Sequence, residues 1–146
     1  MSISYGILVG LLAGVISTLV MSLSEYPVYR KRGMKSVSEW HMNQAMMARL
    51  LHRPAQTLVP QGLLLHFLHG GIAGILFVLV LPLLPFGIPI IATSVAFGLV
   101  LWVIALLIMN PVTGIRIRDH SLLSLIVSFV GHLLYGIVLG LVVSAL

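Results

Sequence analysis

Two histidines, His66 and His132, begin the same short pattern, in which glycines follow four and eight residues after the histidine. Both lie within long uncharged segments, so each imidazole is predicted at membrane depth. Neutral imidazole is a common axial ligand of haem iron. Two such rings at one depth, with glycines leaving space beside them, could hold haem b or a related tetrapyrrole. His69 lies one turn beyond His66, near the same face, and is a third candidate cofactor ligand.

Two other interpretations of these histidines stay open. In the first, each imidazole only packs and hydrogen-bonds a backbone carbonyl or a serine of a neighbouring helix. In the second, the rings form a proton or ion relay, because ionisable groups inside a membrane need partners and often mark transport paths. No metal site is predicted, because the chain has no cysteine and no carboxylate is expected at this depth. No catalytic set of residues is visible either, so no independent enzymatic activity is predicted.

The distribution of charge predicts the elements that carry these histidines. Every charged residue falls in residues 25–53 or 116–119, whereas 60% of the chain is hydrophobic. A helix needs about 20 apolar residues to cross a bilayer. Residues 1–146 are therefore predicted to form one all-α integral membrane domain with four transmembrane helices in the lipid bilayer. The predicted spans are about 4–24, 61–84, 88–109 and 121–146.

The basic residues also predict the orientation. Lys and Arg concentrate in the loops of membrane proteins that stay in the cytoplasm. Loops 25–58 and 110–120 are therefore expected in the cytoplasm and both termini outside, and we expect the membrane to be a prokaryotic plasma membrane. This orientation accounts for the net charge of +5 without a nucleic-acid partner. The outer connection, residues 82–89, is short and uncharged.

The two halves of the chain share a pattern that we interpret as a tandem repeat of a two-helix unit. Gly14 and Pro27 recur as Gly98 and Pro111 at an offset of 84 residues. The histidine–glycine pattern recurs at an offset of 66, so the first half has 18 additional loop residues. Halves with two spans each have the same orientation and would be related by an axis along the membrane normal.

Glycines spaced four residues apart form stripes on three of the predicted spans. Small residues on one face allow helix backbones to approach closely in lipid. We interpret these stripes as packing faces and expect the second and fourth spans to meet through their glycines. The predicted packing residues are Gly6, Gly10 and Gly14 of the first span, Gly70 and Gly74 of the second, and Gly136 and Gly140 of the fourth.

A further short helix is predicted at about 37–52. Ser36–Glu39 has the pattern of a capping box, and Arg53-Pro54 is a stop signal. One face would be mainly apolar, so we expect an interfacial helix on the cytoplasmic surface of the membrane. The alternative is a helix that docks onto a partner. The residues predicted on that face are Val37, Trp40, Met47, Ala48 and Leu51.

Three functions fit these features. The first is a small accessory or structural subunit of a larger membrane complex, respiratory and redox complexes included, which would contact other membrane subunits or further copies of itself. The second is a haem- or pigment-binding electron-transfer subunit that uses His66 and His132. The third is a small transporter or channel. Small multidrug transporters resemble this chain in their four spans, but they place an essential acid within a helix. Glu25 is instead predicted at a helix boundary, before Tyr26-Pro27.

Overall fold

The computed structural model describes residues 3–83 and 87–146, apart from the side chains of Asn110 and Ile117. These ranges are helical and contain no strand. A π-helical turn, Ala105–Met109, joins the fourth and fifth helices. The helices are α1 (Ile3–Arg32), α2 (Ser38–Leu51), α3 (Val59–Val80), α4 (Ile90–Ile104), α5 (Asn110–Thr113) and α6 (Leu122–Ala145).

Four helical segments are long and apolar enough to cross a membrane, which confirms the predicted number of such helices. They are Ile3–Arg32, Val59–Leu83, Ile90–Thr113 and Leu122–Ala145. The outer connection predicted at 82–89 lies partly outside the described residues, at 84–86.

The first of these helices is longer than predicted. α1 continues through Pro27 to Arg32, whereas the sequence suggested an end near residue 24. Proline removes one backbone hydrogen bond, the one to the carbonyl of Leu23. Neighbouring helices make such a loss tolerable within a membrane helix. Glu25 therefore lies inside α1, seven residues before its end.

The bundle is formed by α1 packing against α3 and α6, and by α6 packing against α4. α3 and α4 follow each other in the chain, yet few of their backbone positions come close. Phe77 and Phe97 meet on this side with ring centroids 5.3 Å apart. Tyr5 Oη donates a hydrogen bond of 3.0 Å to the carbonyl of Leu146. Both chain ends thus lie at one end of the bundle, the terminal end; the opposite end, where α1 ends and α6 begins, is the basic end.

Glycines determine how closely α1 and α3 pack. Gly14 faces Gly70, and Gly10 faces Gly74. A Cβ atom at Gly74 would lie 2.7 Å from the Cα of Gly14, and one at Gly10 would lie 2.6 Å from the Cα of Ile75. Both distances are far below van der Waals contact, so only glycine permits this backbone approach.

The contact between α4 and α6 is also made through glycines. Gly98 faces Gly136, and Gly140 faces Ser94. A Cβ atom at Gly136 would lie 2.8 Å from the Cα of Val95. The glycines of α3 and α6 therefore pack within the pairs α1–α3 and α4–α6.

The prediction that Gly70 and Gly74 would meet Gly136 and Gly140 directly is wrong. These glycines of α3 instead contact small residues of α1, and those of α6 contact small residues of α4. A four-residue stripe shows that some backbone approaches closely, but it does not identify which one. Gly6 of α1 is buried as well.

α2 is present as predicted, but only Val37 and Trp40 of the face that its sequence suggested are buried, and polar residues are buried beside them. A Cβ atom at Gly62 would lie 2.9 Å from the Cα of Gln44, so α2 crosses α3 at close range. Its exposed end carries Leu50 and Leu51. The capping box does not form, because Ser36 Oγ donates to the carbonyl of Gly33. The buried residues are Ser38, Glu39, Trp40, Met42, Asn43 and Gln44.

Candidate functional site

A cavity of about 250 Å³ lies inside the bundle, between the α1–α3 pair and the α4–α6 pair. All three histidines singled out from the sequence, His66, His69 and His132, line it. The remaining polar lining was not predicted and consists of Thr18, Glu39, Asn43 and Tyr135. We call this space the central cavity.

Glu39 connects α2 to the middle of α6. Ser128 Oγ donates a hydrogen bond to Glu39 Oε1. The same carboxylate oxygen lies 3.7 Å from His132 Nδ1. His132 Nδ1 is also 3.0 Å from the carbonyl of Ser128. A carbonyl can only accept, so the ring proton is assigned to Nδ1, and Nε2 is left as the acceptor of the neutral imidazole.

These contacts place a carboxyl group at the depth of the histidines within the bundle. At about 1.5 Å per residue from Leu122, Ser128 lies about 9 Å and His132 about 15 Å into α6. The prediction that no carboxylate would lie at the depth of the histidines is therefore wrong. The reason is that α2 folds back against α3 and α6, so that its first turn carries Glu39 into the bundle.

A second carboxyl group, that of Glu25, is buried beside Glu39. The Glu25 side chain is 1% exposed. A Cβ atom at Gly131 would lie only 2.7 Å from Glu25 Oε1, so glycine leaves the space for this carboxyl group. Glu25 is close enough to Glu39 and Trp40 to interact with both electrostatically. Three carboxyl oxygens, both of Glu25 and Oε2 of Glu39, are buried without a hydrogen-bond partner among the described residues.

The opposite wall of the central cavity comes from α3. His66 is 6% exposed, and its Nε2 atom has no hydrogen-bond partner among the described residues. Tyr135 Oη, from α6, donates a hydrogen bond of 2.7 Å to the carbonyl of Gly70. This tyrosine bridges α6 and α3 where the sequence suggested a direct glycine contact. In the sequence, only the position of Tyr135 one turn after His132 could have indicated that it lies in the site.

The π-helical turn forms part of the cavity wall, through Ala105 and Met109. It lies just before Pro111, which cannot donate to the carbonyl of Leu107 and crowds it. Turns of this kind are frequent at functional sites, because they reposition side chains within a helix. Here the turn lies on the loosely packed side of the bundle, between α3 and α4.

Residues 5–146 match the model of DUF6789, which is described as a family of unknown function. The chain belongs to DUF6789. The match includes every residue of the central cavity and all of the helices except the first two residues of α1. Curated proteins and solved structures give no match.

The described part of this DUF6789 protein contains no group of three or more His, Asp or Glu side chains arranged to hold a metal ion. The haem hypothesis gains no support from the geometry. The glycines expected to make room for a macrocycle face α1 and α4 instead, and Tyr135 crosses from α6 to α3. Haem ligation by His66 and His132, with His69 nearby, stays a prediction.

Proposed function

We propose that this DUF6789 protein is a small proton-translocating membrane protein of the transporter type. The observation that carries the proposal is the buried pair Glu25–Glu39, which has three unpartnered oxygens among the described residues. Glu39 of this pair lines the cavity that is also lined by three histidines. Burying an ionised carboxylate without a partner is very unfavourable, so groups of this kind are retained in membranes where they perform a function.

The pair is suited to hold one proton. Two adjacent carboxylates in an apolar interior cannot both be ionised without strong repulsion, so a shared proton relieves both the repulsion and the desolvation. Glu39 Oε1 also lies 3.7 Å from Nδ1 of His132, and histidine side chains act as proton shuttles in proteins. His66 lines the same cavity and would receive the proton next, because its Nε2 atom has no hydrogen-bond partner among the described residues. These groups form a polar path from the basic end to the middle of the bundle.

Within residues 3–83 and 87–146, this path does not continue to the terminal end. The core beyond the cavity is an apolar cluster that includes Val9, Phe77, Val78 and Leu139. An open channel would need polar groups or water through this layer. A transporter instead changes shape, so that a site near the membrane centre faces each side in turn.

The helix pairs α1–α3 and α4–α6 are proposed to be two copies of one unit that move relative to each other. In support, Gly14 faces Gly70 in the first pair, and Gly98 faces Gly136 in the second. These four glycines are the ones related by the sequence offsets of 84 and 66. The central cavity lies between the two units, so a small rotation of one unit would widen it at one end and narrow it at the other.

The proposed orientation follows the positive-inside rule. The basic end, with loops 25–58 and 110–120, would face the cytoplasm of a prokaryotic cell, and both termini would lie outside. The hydrogen bond between Tyr5 and Leu146 supports a common side for the two termini. In this orientation the Glu25–Glu39 pair would take up its proton on the cytoplasmic side.

Reconstitution into liposomes containing a pH-sensitive dye tests the proposal. After a pH gradient and a potassium-diffusion potential are imposed, the wild-type protein should dissipate the gradient faster than protein-free liposomes. Glu39→Gln should slow this flux at least tenfold. Asp119→Asn is the matched control, because it makes the same chemical change at the remaining acid, which lies outside the cavity. Equal flux in wild type and Glu39→Gln, or no flux in wild type, would contradict the proposal.

An accessory subunit of a larger membrane complex is a second candidate, supported by one observation on α4. Only 11% of the apolar window of the segment Ile90–Thr113 is buried, against 33% to 50% in the other three spans. Val100, Val103 and Leu107 are exposed there. Another membrane subunit, a second copy of the chain or lipid would cover this surface. Crosslinking from a cysteine placed at Val103 distinguishes a partner protein from lipid.

A further inference from the structure

A second cavity, of about 560 Å³, lies at the basic end of the bundle. It is bounded by the last turns of α1, the turn Met34–Ser36, α2 and the start of α3. It shares no lining residue with the central cavity. We call it the basic-end pocket. Its polar lining residues are Tyr29, Arg30, Lys35, His41, Gln44 and Gln56.

The basic-end pocket carries positive charge that nothing in the described chain neutralises. Arg30 and Lys35 line it and form no ion pair with any described residue. Of the three acids, Glu25 and Glu39 are buried in the bundle, and Asp119 accepts a hydrogen bond from the backbone N–H of Arg116. No described acidic side chain faces the pocket.

The charge of Lys35 reaches the inside of the pocket. Burial lowers the pKa of His41, and the neighbouring Lys35 and His120 lower it further. His41 is therefore neutral near pH 7 and offers one hydrogen-bond donor and one acceptor beside the two cations. An anion entering the pocket would meet two charged groups and several uncharged polar groups.

An aromatic cluster beside the pocket has the composition that is typical of the headgroup level of a bilayer. The ring centroids of Tyr29 and Trp40 are 5.1 Å apart, and those of Tyr26 and Tyr29 are 6.2 Å apart. Tyr and Trp are enriched where the hydrocarbon of a bilayer meets the headgroups. Tyr29 belongs both to this cluster and to the pocket wall.

We propose that the basic-end pocket binds the phosphate headgroup of an anionic phospholipid. Basic pockets between membrane helices recognise such headgroups through charge-assisted hydrogen bonds, and lysine and arginine both suit phosphate. The uncompensated charge of Arg30 and Lys35 complements the headgroup, and the aromatic cluster fixes its depth. This site is independent of proton movement through the central cavity. A bound lipid would also hold α2 in place, because α2 contributes His41 and Gln44 to the pocket.

Native mass spectrometry of the full-length protein in detergent, titrated with phosphatidylglycerol or phosphatidylcholine, tests the proposal. The variant Arg30→Gln/Lys35→Gln removes two charges that line the pocket. Lys31→Gln/Arg32→Gln removes two exposed charges from the same segment that do not line it. Each lining charge contributes about 1 kcal/mol, or about fivefold, so the first variant should bind phosphatidylglycerol about thirtyfold more weakly. The second variant should stay within about threefold of wild type.

Three results would overturn the proposal. Equal weakening in both variants would show diffuse surface attraction. Equal affinity of the wild type for the two lipids would show that charge is not recognised. Displacement of phosphatidylglycerol by an equal concentration of glycerol phosphate would assign the pocket to a soluble anion. Lys35→Gln and Lys31→Gln as single variants repeat the comparison if either double variant loses its helical circular dichroism.

Discussion

Glu39 Oε1 lies 3.7 Å from Nδ1 of His132, although α2, which carries the glutamate, is not one of the four helical segments long and apolar enough to cross a membrane. Because of this contact, a carboxyl group from a short helix in a basic loop lies beside the middle of α6. It adds an acidic group to the histidines that line the central cavity. Proton chemistry therefore becomes a better-supported role for these histidines than haem ligation.

The Glu25–Glu39 pair should hold a proton at neutral pH, because two adjacent carboxylates in an apolar interior repel each other. Infrared spectra of the purified protein at pH 7 should then show the carbonyl stretch of a protonated carboxylic acid. Glu25→Gln should abolish this band, because it removes the repulsion between the two carboxyl groups that the shared proton relieves. Asp119→Asn should leave the band unchanged. A wild-type spectrum without the band would show that the pair holds no proton.

The four long apolar helices could be predicted from the sequence because a run of about 20 uncharged residues has few other stable structures. The position of Glu39 could not. Helical periodicity grouped Trp40 with Met47 and Leu51 and predicted an apolar face toward the membrane. The buried face carries Glu39 and Asn43 beside Trp40. The hydrogen bond from Ser128 to Glu39 is a tertiary contact, so the local sequence gives no sign of it.

The position of Glu25 could not be predicted from local sequence either. Tyr26-Pro27 suggested a helix end, because proline disfavours the helical conformation of the residue before it. Packing of α1 against α3 and α6 overrides that local preference, and the helix continues for another turn and a half. The carboxyl group that looked like a boundary residue thus becomes part of the buried site.

Alanine substitutions on α3 should distinguish backbone contacts from side-chain contacts. Gly74→Ala should destabilise the protein by about 1–3 kcal/mol, because the new methyl group meets the backbone of Gly14, which cannot move aside. Gly71→Ala should be nearly neutral, since its nearest neighbour is the flexible end of the Leu11 side chain. Thermal unfolding in detergent measures both. Equal destabilisation would contradict the close α1–α3 backbone contact.

Acidification should destabilise the basic end through His41. The pKa of His41 is lowered in the folded protein, so the unfolded chain binds more protons below the ordinary pKa of 6.5. The stability linked to this group is complete above pH 6.5 and is lost as the pH falls toward the folded pKa. The melting temperature of His41→Gln should therefore fall less between pH 7 and pH 5 than that of wild type. Parallel curves for the two proteins would exclude His41 as a source of the pH dependence.

The haem hypothesis has a direct spectroscopic test. If His66 and His132 are axial ligands, the protein should be purified with a Soret band, and His132→Ala should abolish it, because one iron–nitrogen bond is lost. His66→Ala should abolish the band or change the spin state. If His132 only packs, the protein should be colourless, and His132→Ala should lower stability by about 1–2 kcal/mol through lost interhelical hydrogen bonds. The contacts of His132 with Ser128 and Glu39 favour the colourless outcome.

The proposed orientation predicts which residues are reached from outside the cell. Lys35 and Leu146 are both exposed and lie at opposite ends of the bundle, because Leu146 contacts Tyr5 and Lys35 follows the end of α1. The chain has no cysteine, so Lys35→Cys and Leu146→Cys each introduce a single thiol. A membrane-impermeant maleimide added to intact cells should label the cysteine at 146 and leave the one at 35 unlabelled until the membrane is permeabilised. The opposite pattern would place the basic loops outside, against the charge rule, and would also reverse the side from which the Glu25–Glu39 pair takes up its proton.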